Sequence, residues 1–91
     1  MIARRIIVRG RVQGVGFRYA MVEAAREADV CGWVRNRRDG TVEALAQGAP
    51  GAVESAIAWC RRGPPGARVT DVEVAEVEVN SALKDFGMLG T

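Results

Sequence analysis

The segment from Gly10 to Arg18 has the composition of an anion-binding loop. It joins a strand-like run to a helix-like run through Gly14 and Gly16. Glycine adopts positive φ and allows close approach of the backbone, so successive N–H groups can point into one concavity at a helix N-terminus, where the helix dipole favours negative charge. Arg18 adds a planar fork of donors suited to phosphate or carboxylate. Taken alone, the segment is equally compatible with an ordinary strand-to-helix turn.

A second segment shows which kind of loop the first segment forms. It reads Gly-Trp-Val-Arg-Asn at 32–36, followed by Asp-Gly-Thr-Val-Glu at 39–43. Together with Gly-Arg-Val-Gln-Gly-Val-Gly-Phe-Arg at 10–18, it resembles the acylphosphatase family, which has such a loop and, about one helix later, such a strand leading into an Asp-Gly turn. Gly48, Gly63-Pro64 and residues 69–74 also stand where the family would have them, so the resemblance runs from about Arg5 to Val79.

The resemblance implies an enzyme that hydrolyses the carboxyl-phosphate bond of acyl phosphates to a carboxylate and inorganic phosphate. It implies Arg18 and Asn36 as catalytic residues, with Arg18 neutralising charge and the Asn36 amide orienting the attacking water. The departing carboxylate needs no proton at neutral pH, so positioning and charge stabilisation are what the protein must supply. The expected phosphate-binding residues, acting through backbone N–H groups and the arginine side chain, are Gln13, Gly14, Val15, Gly16, Phe17 and Arg18.

We therefore expect a small-molecule acyl phosphate as substrate, inorganic phosphate or sulfate as a product-like ligand, and neither metal nor cofactor. The chain has no His, and Cys31 and Cys60 are far apart in sequence, which excludes zinc sites of the usual spacings and His-activated nucleophiles. Both thiols are expected to be reduced and at least partly buried; whether they pair depends on the fold.

Composition limits the other possibilities. The 91 residues are expected to form one domain, 1–91, with any active site in a surface groove or loop. No run is apolar enough to span a membrane, and Met1 to Arg5 leads straight into a strand pattern with no room for a signal peptide, so a cytoplasmic monomer is expected. A net charge of +2 is too small to argue for nucleic acid.

Several alternatives stay open at this level. Arg18 can be a helix-surface arginine in ordinary ion pairs, and Asn36 can serve the turn that begins at Arg37. Trp33 and Trp59 are more typical of core or rim packing than of ligand stacking. An RNA-binding module, or a regulatory or maturation module of a larger enzyme, would use the same fold without hydrolysis.

The elements that must position these residues follow from hydrophobic periodicity. Helical faces are formed by Phe17, Met21, Ala24 and Ala28 and by Val53, Ala56, Ile57 and Cys60. A phase change between Val74 and Ala75 indicates a bulge or a strand end. The predicted elements are strands Arg5–Val12, Val30–Arg37, Thr41–Gln47 and Thr70–Val79, helices Phe17–Asp29 and Pro50–Arg62, and a short last strand around Phe86 and Met88.

This order predicts an α+β, ferredoxin-like split βαβ sandwich (βαββαβ): an antiparallel sheet with both helices on one face. The first helix crosses back over the sheet, so the loop after the first strand and the end of the second strand can be neighbours. Arg18 and Asn36 are thereby expected to meet.

Overall fold

A computed structural model of the chain describes residues 1–90. It confirms the predicted α+β order, and two helices pack on one face of a five-stranded sheet with strand order β4-β1-β3-β2-β5. No helix within residues 1–90 has the length and apolarity to cross a membrane. The elements are β1 (Ile2–Arg11), α1 (Phe17–Glu27), β2 (Cys31–Asn36), β3 (Val42–Gly48), α2 (Pro50–Arg62), β4 (Arg68–Val77) and β5 (Phe86–Met88).

The predicted antiparallel pairing holds for four strands, but the fifth makes the sheet mixed. β1 to β4 pair antiparallel, but β5 pairs parallel with β2 through Gly32 and Phe86. The chain leaving β4 passes the end of β3, where the Gln47 side chain binds both the N–H and the carbonyl of Asn80 at 2.8 and 2.9 Å. Phe86 is fully buried, so the C-terminal strand belongs to the core although its sequence pattern is weak.

The helices bury nearly the faces that periodicity predicts. α2 has the predicted bounds and buries Val53, Ala56 and Cys60. In α1 the buried line is Phe17, Met21 and Ala25, because residues four apart stack on one face; the predicted Ala24 and Ala28 are only half-buried beside it.

The strand irregularity lies elsewhere than predicted. β4 pairs with β1 without interruption through Val74 and Ala75; the apolar pattern changes phase there because Ala75 and Val77 face the helix-free side of the sheet. The register shifts instead between Arg9 and Gly10, where Gly10 has φ 125° and a Cβ atom would collide with the backbone of Arg68. Pairing resumes at Gly10 and Arg11, so the bulge lies within the last residues of β1, close to the loop that leads to α1.

The two thiols are both free and lie on opposite sides of the sheet. Cys31 is paired in register with Gln47 on the helix-free face, and Cys60 is buried between α2 and the sheet. Burial raises the pKa of the Cys60 thiol to about 12. The fold therefore keeps the two cysteines from pairing.

The helix-free face carries a buried ion cluster. Glu43 is only 4% exposed, and its two carboxylate oxygens accept hydrogen bonds from the Nε atoms of Arg5 and Arg35, both at 2.6 Å. Burial alone would raise the pKa of Glu43, but the two guanidinium donors outweigh it and hold the pKa below its ordinary value. Ile7, which pairs with Glu43 across β1 and β3, is as buried as the core.

Glu43→Gln is expected to lower the free energy of unfolding at neutral pH by about 1–3 kcal/mol, because two charge-assisted hydrogen bonds are lost. Since the folded-state pKa is lowered, this contribution is present above the ordinary value of 4.5 and is lost as pH falls through the folded pKa. Urea unfolding across this range measures both effects. Glu73→Gln, at an exposed carboxylate 3.5 Å from Arg9, is the control and should change stability by less than about 0.5 kcal/mol. If the difference in unfolding free energy between Glu43→Gln and the wild type does not shrink at low pH, this account is contradicted.

Candidate active site

The loop between β1 and α1 has the backbone conformation of an anion cradle. Residues 13–16 form a bend without a hydrogen-bonded turn, and Gly14 and Gly16 have φ of 73° and 76°. A Cβ atom at either glycine would meet nothing within 4 Å, so the glycines are required by their φ and leave open space above the loop. Val12 and Phe17, which flank the loop, are both buried and anchor it to the core.

The N-terminus of α1 faces this space without a cap. Gly16 is the N-cap residue, no side chain caps the helix, and the first turn has no acidic residue. The N–H of Ala20 donates to the Gly16 carbonyl at 3.1 Å. The N–H groups that precede Ala20 in the first turn have no carbonyl partner within the helix. These donors and the positive end of the helix dipole are available to an anion.

Arg18 lies in that first turn and lines a concavity of about 180 Å³ with Val12, Gly14, Gly16, Phe17, Tyr19 and Asn36. Its guanidinium makes no ion pair with any carboxylate within the described part of the chain. The alternative of an ordinary helix-surface ion pair is therefore not supported.

Asn36 reaches the same concavity from β2. It is the last residue of that strand and pairs with Val42 of β3. Its Oδ1 atom is buried, and no donor among residues 1–90 lies within hydrogen-bond distance. Because buried polar side-chain atoms are nearly always paired, an unpaired acceptor on a residue that lines the concavity makes Asn36 a candidate to bind a donor from outside the chain. As predicted, the fold brings Arg18 and Asn36 together.

The remaining predicted phosphate-binding residues divide into two groups. Gly14, Gly16 and Phe17 line the concavity, and the Phe17 ring packs edge-on against Trp59 with the ring centroids 5.2 Å apart. Gln13 and Val15 are not part of the lining. Val15 packs against the core, and the Gln13 side-chain amide donates to the carbonyls of the β2–β3 hairpin.

Sequence reasoning missed two features of the site. Tyr19, 69% exposed, stands at the rim of the concavity; its place directly after Arg18 in the first helical turn was the available signal. A second hollow, lined by Arg35, Asn36, Arg37 and Arg38, adjoins it through Asn36. The positive potential there is reduced by Asp39, whose pKa is lowered by its hydrogen bonds from Thr41 and by the charge of Arg37.

Within residues 1–90, no three His, Cys, Asp or Glu side chains are grouped as metal ligands would be. The polar groups of the residues that line the concavity are backbone N–H donors, the Arg18 guanidinium, the Asn36 amide and the Tyr19 hydroxyl, with no His or carboxylate side chain among them. Such a set can bind a phosphoryl group and orient a neutral molecule beside it.

Comparisons with known proteins identify the family. The acylphosphatase family model matches residues 4–88. An acylphosphatase of Pyrobaculum calidifontis is 51% identical over all of this chain and 84% of that protein. The crystal structure of acylphosphatase from Bacillus subtilis superposes with a TM-score of 0.93 at 43% identity, covering 98% of this chain and 99% of that one. Full-length HypF in its phosphate- and nucleotide-bound form matches 98% of this chain with 12% of its own length, at 30% identity and TM-score 0.85. A uniform match over nearly the whole chain, in sequence and in structure, means that this protein belongs to the acylphosphatase family.

Proposed function

We propose that the concavity between the β1–α1 loop and the end of β2 is where this acylphosphatase hydrolyses acyl phosphates to a carboxylate and inorganic phosphate. The activity is that of its family. The observation that carries the assignment to this site is the unpaired, buried Oδ1 of Asn36 beside an uncapped helix N-terminus and a free guanidinium.

In the proposed mechanism the N–H groups of the loop and of the first helical turn bind the phosphoryl oxygens. Arg18 places its guanidinium against the same oxygens and neutralises charge as phosphorus is attacked. The scissile bond joins phosphorus to a carboxylate oxygen, so the leaving group departs as an anion that needs no general acid. The site therefore needs no residue that donates a proton to the leaving group.

Asn36 is proposed to hold the attacking water. Its Oδ1 accepts a hydrogen bond from water, which directs a lone pair of the water oxygen toward phosphorus. Because an amide does not take up the proton at neutral pH, the bound phosphate receives it as the P–O bond to water forms and the bond to the carboxylate breaks. Atoms and charge balance without a titrating side chain.

An RNA-binding function is not favoured by the sheet surface. Three arginines of the helix-free face lie against carboxylates: Arg5 and Arg35 bind Glu43, and Arg9 lies near Asp71 and Glu73. Trp33, a half-buried aromatic residue on the same face, lies under the Arg35 guanidinium at 5.8 Å. These pairings leave the side chains concerned less available for phosphate contacts and for base stacking.

The substrate is thus an acyl phosphate, and phosphate or sulfate is the proposed product-like ligand. A phosphate-bound form is described for HypF, the distant relative that shares this fold and site region. The monomeric state and the cytoplasmic location remain predictions from the sequence.

Inorganic phosphate and sulfate are expected to bind the loop and to inhibit hydrolysis competitively, because the glycine conformations expose N–H donors there. During titration, the amide resonances of Gly14, Gly16 and Arg18 should shift together with one binding curve. Shifts confined to Arg35 and Arg37 would place the anion in the neighbouring hollow instead.

Hydrolysis is expected to be insensitive to chelators and nearly flat with pH around neutrality, since no His, Cys or carboxylate side chain of residues 1–90 lines the concavity. Assays with acetyl phosphate and benzoyl phosphate, with and without EDTA, measure this. Activity lost in EDTA and restored by a divalent ion would refute the proposed mechanism.

Arg18→Ala is expected to weaken phosphate binding and turnover together, whereas Asn36→Ala should leave phosphate affinity nearly intact and lower kcat by on the order of 10²- to 10³-fold. Arg18 contacts phosphoryl oxygens in both ground and transition states, while Asn36 acts on the water. Arg18→Lys should be nearly as damaging as Ala, because one ammonium cannot reproduce a two-pronged contact.

Arg61→Ala, at an exposed position on α2, is the matched control and should hydrolyse at the wild-type rate. Thermal unfolding of each variant separates chemistry from stability. Wild-type turnover in Asn36→Ala would remove its assigned role, and an unfolded Asn36→Ala would show that its role is structural.

A further inference from the structure

We propose that Gln13 is a positioning residue, which sets the distance between the phosphate-binding loop and Asn36 through its side chain. This inference rests on the proposed function. The observation behind it is a two-point bridge: Nε2 of Gln13 donates to the carbonyl of Arg37 at 2.7 Å and to the carbonyl of Thr41 at 2.9 Å. Both hydrogens of the amide are therefore used to hold another part of the chain.

The need for such a bridge follows from the strand order. The loop follows β1 and Asn36 ends β2, but β3 lies between these strands. Val42 of β3 pairs with Val8 on one side and with Asn36 on the other, so no backbone hydrogen bond joins β1 to β2 directly. Beyond Val42, where the loop and the hairpin project past the sheet, the Gln13 bridge joins them.

The two carbonyls that Gln13 binds are those that close the hairpin turn. The Thr41 carbonyl also accepts from the N–H of Arg37 at 2.9 Å, and the Arg37 carbonyl from the N–H of Gly40 at 3.2 Å. Asp39 Oδ1 further accepts from the N–H and the hydroxyl of Thr41. The turn therefore has its own internal hydrogen bonds, and Gln13 fixes where the turn lies rather than its shape.

Removing the bridge should consequently cost little stability, since each carbonyl keeps one partner. It should affect the geometry between two bodies: the loop with α1, which carries the phosphate-binding donors and Arg18, and the hairpin with the end of β2, which carries Asn36. Phosphate affinity depends on the first body alone, whereas turnover depends on both.

Gln13→Met keeps the length of the side chain and removes both donors. We expect it to lower kcat by about 10- to 100-fold, the effect typical of a reacting group displaced by about 1 Å, with phosphate affinity changed less than about 3-fold. Gln13→Glu should be at least as damaging, because its carboxylate faces two carbonyl oxygens. Ile57→Val, a small truncation on α2 far from the concavity, is the control for a minor loss of stability and should retain wild-type kcat.

The decisive measurement is the double variant Gln13→Met/Asn36→Ala. If Gln13 acts through Asn36, the double variant should turn over no more slowly than Asn36→Ala alone. Losses that multiply would overturn the proposal, as would wild-type kcat in Gln13→Met. A phosphate affinity weakened as much as in Arg18→Ala would place the Gln13 side chain in the phosphate site instead.

A readout without catalysis distinguishes failure of this inference from failure of the proposed function. In Gln13→Met the side-chain amide resonances of Asn36 should shift or broaden, while the backbone resonances of Gly14 and Gly16 stay in place. This spectrum tests the positioning role of Gln13 even if the hydrolysis assays contradict the proposed function. Asn36 side-chain resonances that do not change in Gln13→Met would refute the positioning role.

Discussion

The insertion of β3 between β1 and β2 is the constraint on which the site depends. Neighbouring strands lie about 4.8 Å apart, so groups that project from the ends of β1 and β2 begin about 10 Å apart. That separation leaves room for a phosphoryl group between them. The loop after β1 approaches it from one side with N–H donors and Arg18, and Asn36 approaches it from the other. Direct pairing of β1 with β2 would close the gap.

The loop combines unusual backbone conformations with fixed ends. Gly14 and Gly16 adopt left-handed φ values that other residues rarely reach. Because glycine has many backbone conformations in the unfolded chain, ordering this segment costs conformational entropy. Val12 before it and Phe17 after it are both buried, and the Phe17 ring is held edge-on by Trp59. The four residues 13–16 lie between these two buried side chains, so the loop backbone has few conformations available to it. Donors are thus oriented before the anion arrives, which is the condition for electrostatic preorganisation.

Charge pairing differs between the concavity and the helix-free face of the sheet. On that face Arg5 and Arg35 bind Glu43, and Arg9 lies near Asp71 and Glu73. Pairing is strongest at Glu43, where two guanidinium groups share one buried carboxylate. Arg18, by contrast, has no carboxylate partner among residues 1–90 and lies at an uncapped helix terminus. An anion in the concavity therefore meets a guanidinium that no carboxylate of residues 1–90 neutralises.

The features that the sequence predicted share one property: each is set by residues close together in the chain. Periodicity predicted both helices, and the two motifs led to the expectation that Arg18 and Asn36 meet, as they do at the concavity. The errors concern interactions that span the chain. The parallel pairing of β5 depends on where Gln47 holds Asn80, and the bulge at Gly10 depends on its approach to Arg68. Gln13 is the instructive case: the loop motif predicts that its backbone N–H binds phosphate, which stays a prediction, and only the fold shows that its side chain binds carbonyls 24 and 28 residues away. A motif identifies which residues belong to a site, but only the fold separates those that face the ligand from those that hold the site together.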